Sequence, residues 1–335
     1  MFLQDCSTWA NKLQTGATLA TQFYKSHKFI NNPQHIAFIG MGGSGIAGRI
    51  IQEIVSTYSK IPVSIVDSTQ IPAHFNKNTL CFVISYSGNT WETLEAFDQL
   101  ITQSIPVVAM AHGGLLAERA QQYSIPFVSI PSAATPRSSL GYTLGFFLQL
   151  FGEMNIFDKG LQTLKLFIQH AHDRIPQYTN KDFFQEFLEI AKTKNFFHVW
   201  GIAGYGSACA YRAQTQFNEN SKLPVVHSSL PELNHNLLVG FTSPSENNFI
   251  LLMAPKNLPR SLEASISAVC EILNSRGTVL YKPTLFGDNF MVQFFDMILW
   301  ADFASYHLGM TLGVDVAAVE IIDLLKKTHG QKLLS

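Results

Sequence analysis

Short, almost unbroken apolar runs recur along this chain, separated by helix-patterned segments of about 10–15 residues. His35–Ile39 (HIAFI), Ile61–Val66 (IPVSIV), Thr79–Ile84 (TLCFVI), Ile105–Met110 (IPVVAM) and Ile125–Ile130 form a first series. A strand covered by helices on both faces reads as such a run, whereas a half-solvated strand alternates. Strand–helix alternation therefore predicts a parallel sheet buried on both sides. The pattern then restarts with Phe196–Trp200, Leu223–His227, Asn248–Met253 and Thr278–Tyr281. Gly40 aligns with Gly201 at a shift of 161, Phe82 with Ile250 at 168 and Pro106 with Val279 at 173. A slowly growing offset describes two copies of one α/β unit rather than a short-period repeat. The boundary is expected near residue 155, giving domains 1–155 and 156–335. Helices are expected over the opening 30 residues and over Ile46–Tyr58, Glu92–Gln103, Leu140–Phe151 and Ala208–Glu219.

Composition narrows the function classes. Only 14% of the 335 residues are charged, the formal net charge is −1, and 47% are hydrophobic. Disordered chains are charge-rich and poor in aromatics, so disorder is excluded. A nucleic-acid partner held by bulk positive charge is not expected. No apolar run reaches the ~18 residues of a membrane helix, and the N-terminus lacks the pattern of a signal peptide. The four cysteines are scattered with no C-x-x-C, which fits reduced thiols in a cytoplasmic protein.

Two loops carry chemistry. Gly40-x-Gly42-x-x-Gly45 follows a strand and opens a helix, and Asp67 ends the next strand, so the segment formally satisfies a dinucleotide fingerprint. A tight structural turn, or a phosphate site with Ser44 as a hydroxyl donor, accounts for the same residues. The loop after the third strand, Ser85-Tyr86-Ser87-Gly88-Asn89-Thr90, favours phosphate. It clusters hydroxyls where open α/β sheets bind ligands, and a helix cap would need one of them, not several. With Gly43 and Ser44 it reads as one phosphomonoester site.

These loops, in two α/β copies, resemble sugar isomerase (SIS) domains, and the chain is similar to the bifunctional phosphoglucose/phosphomannose isomerase family. The resemblance rests on Ile39–Gly45, Ser85–Thr90, Pro136-Arg137, Gln216–Lys222 (QFNENSK), Pro231–Asn236 (PELNHN) and Gly313-Val314-Asp315 with Ile321–Lys326. It implies two doubly wound α/β domains of SIS type, with parallel sheets flanked by helices. It also implies an aldose–ketose isomerase of hexose 6-phosphates, with Ser44, Ser85, Ser87 and Thr90 holding the phosphate. Glu219 would be the base acting between C1 and C2, and Arg137 would stabilise the enediolate. His235, from the partner subunit of a dimer, and Lys326 would assist ring opening. Trp91 and Leu237 depart from the family pattern, which commonly has an acidic residue at each place. Phe2 stands where glutamine-using SIS enzymes carry a nucleophilic cysteine, which argues against that type.

The residues make chemical sense on their own. Glu219 falls at a helix C-terminus, whose field disfavours a second negative charge and so favours taking up a proton; a solvated side chain at a frayed end is the plainer reading. Arg137 precedes a helix, where a cation is disfavoured unless an anion is shared; a surface ion pair is the alternative. His235 is suited to proton transfer near neutrality, or it is bonded to loop backbone. His198 and His227, at predicted strands, read as structural. His170 and His172 lie two apart on a predicted helix and cannot chelate one ion together. No metal or cofactor is expected. A non-catalytic phosphosugar-binding module and a nicotinamide oxidoreductase remain competing readings. The apolar content left over after two cores points to an obligate homodimer.

Overall fold

The computed structural model describes residues 2–27, 33–194, 196–243 and 247–334. Two N-terminal helices, α1 (Phe2–Cys6) and α2 (Trp9–Ser26), precede a first α/β unit. That unit comprises β1 (His35–Ile39), α3 (Gly42–Val55), β2 (Val63–Val66), β3 (Thr79–Ile84), α4 (Trp91–Thr102), β4 (Val107–Ala111), α5 (Gly114–Gln122) and β5 (Phe127–Ser129). After α6 (Leu140–Glu153), α7 (Gly160–Tyr178) and α8 (Gln185–Ala191), the second unit comprises β6 (Phe196–Ile202), α9 (Ser207–Ser221), β7 (Val225–Leu230), β8 (Asn248–Leu252), α10 (Arg260–Ser275) and β9 (Val279–Tyr281). Helices α11 (Phe290–Leu312) and α12 (Glu320–Leu334) follow.

Both sheets are parallel throughout, with orders β2-β1-β3-β4-β5 and β7-β6-β8-β9. Within each unit the second sequential strand lies outside the first, the doubly wound arrangement that opens a crevice beyond the strand carboxyl ends. Expected strands and found strands coincide, with one systematic offset. β2, β4, β5 and β7 each begin one residue after a proline, at Pro62, Pro106, Pro126 and Pro224. Proline has no N–H for the ladder, although its carbonyl can still accept. Ile36, Cys81 and Ala109 donate to the carbonyls of Pro62, Pro106 and Pro126. β7 continues to Leu230 through His227-Ser228-Ser229 because it is an edge strand, where polar residues are tolerated.

The opening helix is broken at Ser7-Thr8, and residues 1 and 28–30 of that expected span lie outside the described residues. Its longer part, α2, packs closely on α6. A Cβ at Gly145 would collide with the carbonyl of Leu13, and one at Gly16 with the carbonyl of Tyr142. Gly145 of α6 and Gly16 of α2 are thus what lets the two backbones meet. One hydrophobic cluster runs from Phe2 and Trp9 through β1, β3 and α6 to β6 and α11. The two sheets are therefore joined through this helical layer. Among the described residues no helix is long and apolar enough to cross a membrane.

Candidate active site

The glycine loop and the hydroxyl loop meet at the carboxyl ends of β1 and β3. Gly43, Ser44 and Gly45, expected as a loop, lie in the first turn of α3, and Ser44 Oγ accepts the amide N–H of Tyr86 at 3.0 Å. Ser85 is buried and donates to Thr90 Oγ1 at 3.0 Å, while Ser87 Oγ accepts the N–H of Asn89 at 3.2 Å. Thr90 is the N-cap residue of α4, yet its side chain makes no cap bond, nor does that of Met41 before α3. A capping role does not account for the hydroxyl cluster. Two helix starts without side-chain caps, side by side and rimmed by hydroxyls, suit a dianionic phosphate.

Arg137 adjoins this cradle. It sits in a short 3-10 turn, Pro136–Ser139, ahead of α6, and a Cβ on Gly43 would lie 3.3 Å from its Cα. The side chain is 2% exposed, so the surface ion pair is ruled out. Its Nη1 donates to Glu219 Oε2 at 2.8 Å, Nε to Asn220 Oδ1 at 2.8 Å and Nη2 to the carbonyl of Val316 at 2.6 Å. The ring of Phe2 lies 5.1 Å from the guanidinium carbon. Burial presses the guanidinium pKa below its ordinary value, and the facing Glu219 carboxylate opposes that shift. The anion that makes a cation acceptable before a helix is therefore Glu219, which arrives from the other unit.

Glu219 lies near the C-terminus of α9 and keeps partial exposure, 26% of its side chain. Lys222, in the left-handed conformation after α9, donates Nζ to the carbonyls of Glu219 and Ala318. The flanking asparagines divide the work. Asn218 Oδ1 accepts the amide of Val225 at the start of β7, and Asn220 orients Arg137 while donating to Ser305. Beside Glu219 lies a cavity of about 450 Å³ lined also by Lys222, Asp315, Val319 and Ile322. Its far wall is the start of α12. Further along α12, His329 stacks on Trp91 with ring centroids 4.8 Å apart. That helix therefore runs from the rim at Glu219 to the start of α4, with Lys326 exposed between its two anchor points. Trp91, one of the two departures from the family pattern, is thus the residue on which His329 of α12 stacks.

His235 is not brought to this site within one chain. It is exposed at the end of a 3-10 turn, Glu232–His235, after β7, and among the described residues no bond joins it to Arg137 or Glu219. His170 and His172 lie on α7, and His170 bonds Asp296 at 2.7 Å, a structural contact shared with Tyr178. His227 bonds Ser207 and Ser229, and burial with the nearby Arg49 lowers its pKa to about 4. Asp67, which could have served a ribose, pairs with Arg49.

Sequence reading missed the layer behind Arg137. Arg212 of α9 donates to the Arg137 carbonyl at 2.8 Å and holds both carboxylate oxygens of Asp302 on α11, at 3.0 and 3.1 Å. Trp9 Nε1 donates to the same carboxylate at 3.2 Å. An Asp within the apolar run of α11 was the available signal, since a charge buried there needs a partner.

Comparisons with known proteins point to one family. The model for the bacterial phospho-glucose isomerase C-terminal SIS domain matches residues 186–328, and that for the SIS domain matches residues 29–121. A bifunctional phosphoglucose/phosphomannose isomerase of Thermoplasma volcanium is 32% identical over 310 residues, covering 91% of this chain and 94% of the relative. A protein of the same name from Caldicellulosiruptor bescii is 28% identical, covering 87% and 88%. Among solved structures, tagatose-6-phosphate ketose/aldose isomerase of Escherichia coli superposes with a TM-score of 0.70, covering 95% of each chain. At 14% identity that likeness speaks to the fold alone.

Proposed function

The chain belongs to the bifunctional phosphoglucose/phosphomannose isomerase family, and on that footing we propose that it interconverts glucose 6-phosphate and mannose 6-phosphate with fructose 6-phosphate. The observation that carries the site assignment is the position of Arg137: its backbone rests against Gly43 of the cradle while its guanidinium holds Glu219. One residue thereby links a phosphate site on the first unit to a carboxylate on the second.

In the proposed cycle the Gly43–Ser44 turn and Ser85, Ser87 and Thr90 hold the phosphate. His235, supplied by the partner subunit, takes the anomeric hydroxyl proton, and Lys326 serves the ring oxygen as the ring opens. Glu219 then removes the proton from C2. The C2–H electrons form the C1–C2 double bond, and the carbonyl electrons move onto O1. As Glu219 becomes neutral it loses its hold on Arg137, and the guanidinium turns to the enediolate oxygen, where negative charge has appeared. The positive charge changes partners without leaving the pocket. The O2 hydroxyl proton passes to O1, Glu219 returns its proton to C1, and the O2 electrons form the C2 carbonyl, which yields fructose 6-phosphate. The two aldoses differ only at C2, whose configuration is lost in the enediolate. No electrons leave the substrate, so the reaction calls for no nicotinamide, and Arg137 supplies the charge a metal would otherwise provide.

A coupled assay run separately on the two aldose phosphates tests this reading. Turnover of both is expected; thermal stabilisation by the sugar phosphates with no turnover would leave a binding module instead.

The dimer belongs to the same proposal. Ile321, Leu324 and Leu325 of α12 are 78%, 59% and 67% exposed, and Val239, near His235, is 70% exposed. Apolar surface of this kind beside a site that lacks its histidine favours a second copy of the chain as its cover. Sedimentation should give twice the chain mass of 37.3 kDa. A monomer with full activity would overturn both the dimer and the role of His235 across it. The reducing cytoplasm fits the four free cysteines, of which Cys81 is pushed by burial up to about 12 and so stays a thiol.

A further inference from the structure

The helix that bears Glu219 has an unusual start. Gly206, its N-cap residue, has no side chain to offer, and the leading amides are taken instead by a carboxylate 153 residues away. Glu53 Oε1 accepts the N–H groups of Gly206 and Ser207 at 2.9 and 3.0 Å, and Oε2 accepts that of Ala208 at 2.7 Å. This turn is the second unit's counterpart of the glycine loop, because the shift that aligns Gly40 with Gly201 also places Gly45 on Gly206. The place where an anion would sit in the second unit is thus filled by a carboxylate of the first. Burial pushes the Glu53 carboxyl upward, and the amide hydrogen bonds pull it back.

Glu53 lies on α3, whose first turn carries Ser44. Helix α9, which it caps, carries Glu219 in its last turn. The circuit closes through Arg137, which holds Glu219 and rests on Gly43. Two rigid helices thus separate the phosphate cradle from the carboxylate, and one ionic contact joins their remote ends. We propose that Glu53 is a positioning residue for the isomerisation, seated as a built-in anion on α9 to set the distance of Glu219 from the sugar phosphate. The proposal rests on Glu219 being the base.

The test is Glu53→Ala assayed with and without 50 mM sodium formate, against sodium chloride at equal ionic strength, with wild type in the same buffers. Near-attack geometry is steep, and a shift of about 1 Å can cost about 100-fold. The kcat of Glu53→Ala should fall about 10- to 100-fold with KM within about threefold, and formate should restore at least fivefold of it by occupying the vacated amides. Glu53→Gln, which keeps the shape and loses the charge, should be impaired and not rescued, and it stands in should the alanine variant not fold. Formate should raise the melting temperature of Glu53→Ala and not that of wild type. A Glu53→Ala enzyme with kcat within twofold of wild type, or a loss that formate leaves unchanged, would overturn the proposal. Glu219→Gln in parallel separates the two readings: its retention of turnover would remove the base assignment, while formate rescue of Glu53→Ala would still report on Glu53.

Discussion

Replacing Glu219 by Gln should leave sugar-phosphate binding intact and lower turnover by about 1,000-fold or more, the upper part of the range for a positioned acid or base. Gln keeps the length and shape of the side chain and can still accept from Arg137, so the pocket should not collapse. It cannot take the C2 proton. Binding should hold or tighten slightly, because the charge that competes with a bound anion for Arg137 is gone. The result should show as a fall in kcat and kcat/KM together, the signature of an interaction made in the transition state. Loss of solvent-deuterium exchange at C2 would accompany it. Turnover within about tenfold of wild type would end the assignment of Glu219 as base.

Asp302→Ala should be the most destabilising of the simple substitutions. Arg212 is 0% exposed and Asp302 1%, and the pair lies between α9 and α11. Without the carboxylate, Arg212 remains a buried cation whose Nη1 already has no partner among the described residues, and the indole N–H of Trp9 loses its acceptor. Removing one partner of a buried pair costs about 3–5 kcal/mol, more than the pair itself contributes, because the cost is that of the stranded charge. For a chain of this length that corresponds to a melting point lower by roughly 4–7 °C. Activity should fall as well, since Arg212 holds the carbonyl of Arg137. Removing both charges, as Arg212→Met with Asp302→Leu, should recover part of the stability and little of the activity. A melting point for Asp302→Ala within 2 °C of wild type would refute this account.

The frame of the fold was legible because it depends on local pattern. Buried parallel strands need apolar runs, and those runs are visible; the prolines that trimmed them act on a single missing N–H. The hydroxyl loop was legible for a similar reason, since Ser85, Ser87 and Thr90 exceed what capping α4 requires. Arg137 stood out in a chain with few charges, whereas Glu219 read on its own as a solvated side chain and was singled out by the family resemblance. Their partners did not. Arg137 is held by Asn220 from α9 and by the carbonyl of Val316, and a backbone carbonyl leaves no trace in side-chain identity. Arg212 and Asp302 are 90 residues apart, and Glu53 acts across 153 residues on amides that any sequence would supply. The contacts of Arg137 and Glu53 exist only once the two units have docked, and that of Arg212 only once α11 has packed on α9.

The contact of Trp9 with Asp302 spans 293 residues of chain, and it has a consequence for how the protein is made. Synthesis proceeds at about 5–20 residues per second, so the indole of Trp9 waits roughly 15–60 s before its acceptor leaves the ribosome. Over that interval the amino-terminal helices can pair with α6, which emerges early, but their other face has nothing to cover it. The first sheet can form as a unit ahead of the rest. Final closure is a late event, governed by contacts between distant stretches of chain, such as Trp9 with Asp302, rather than by either sheet.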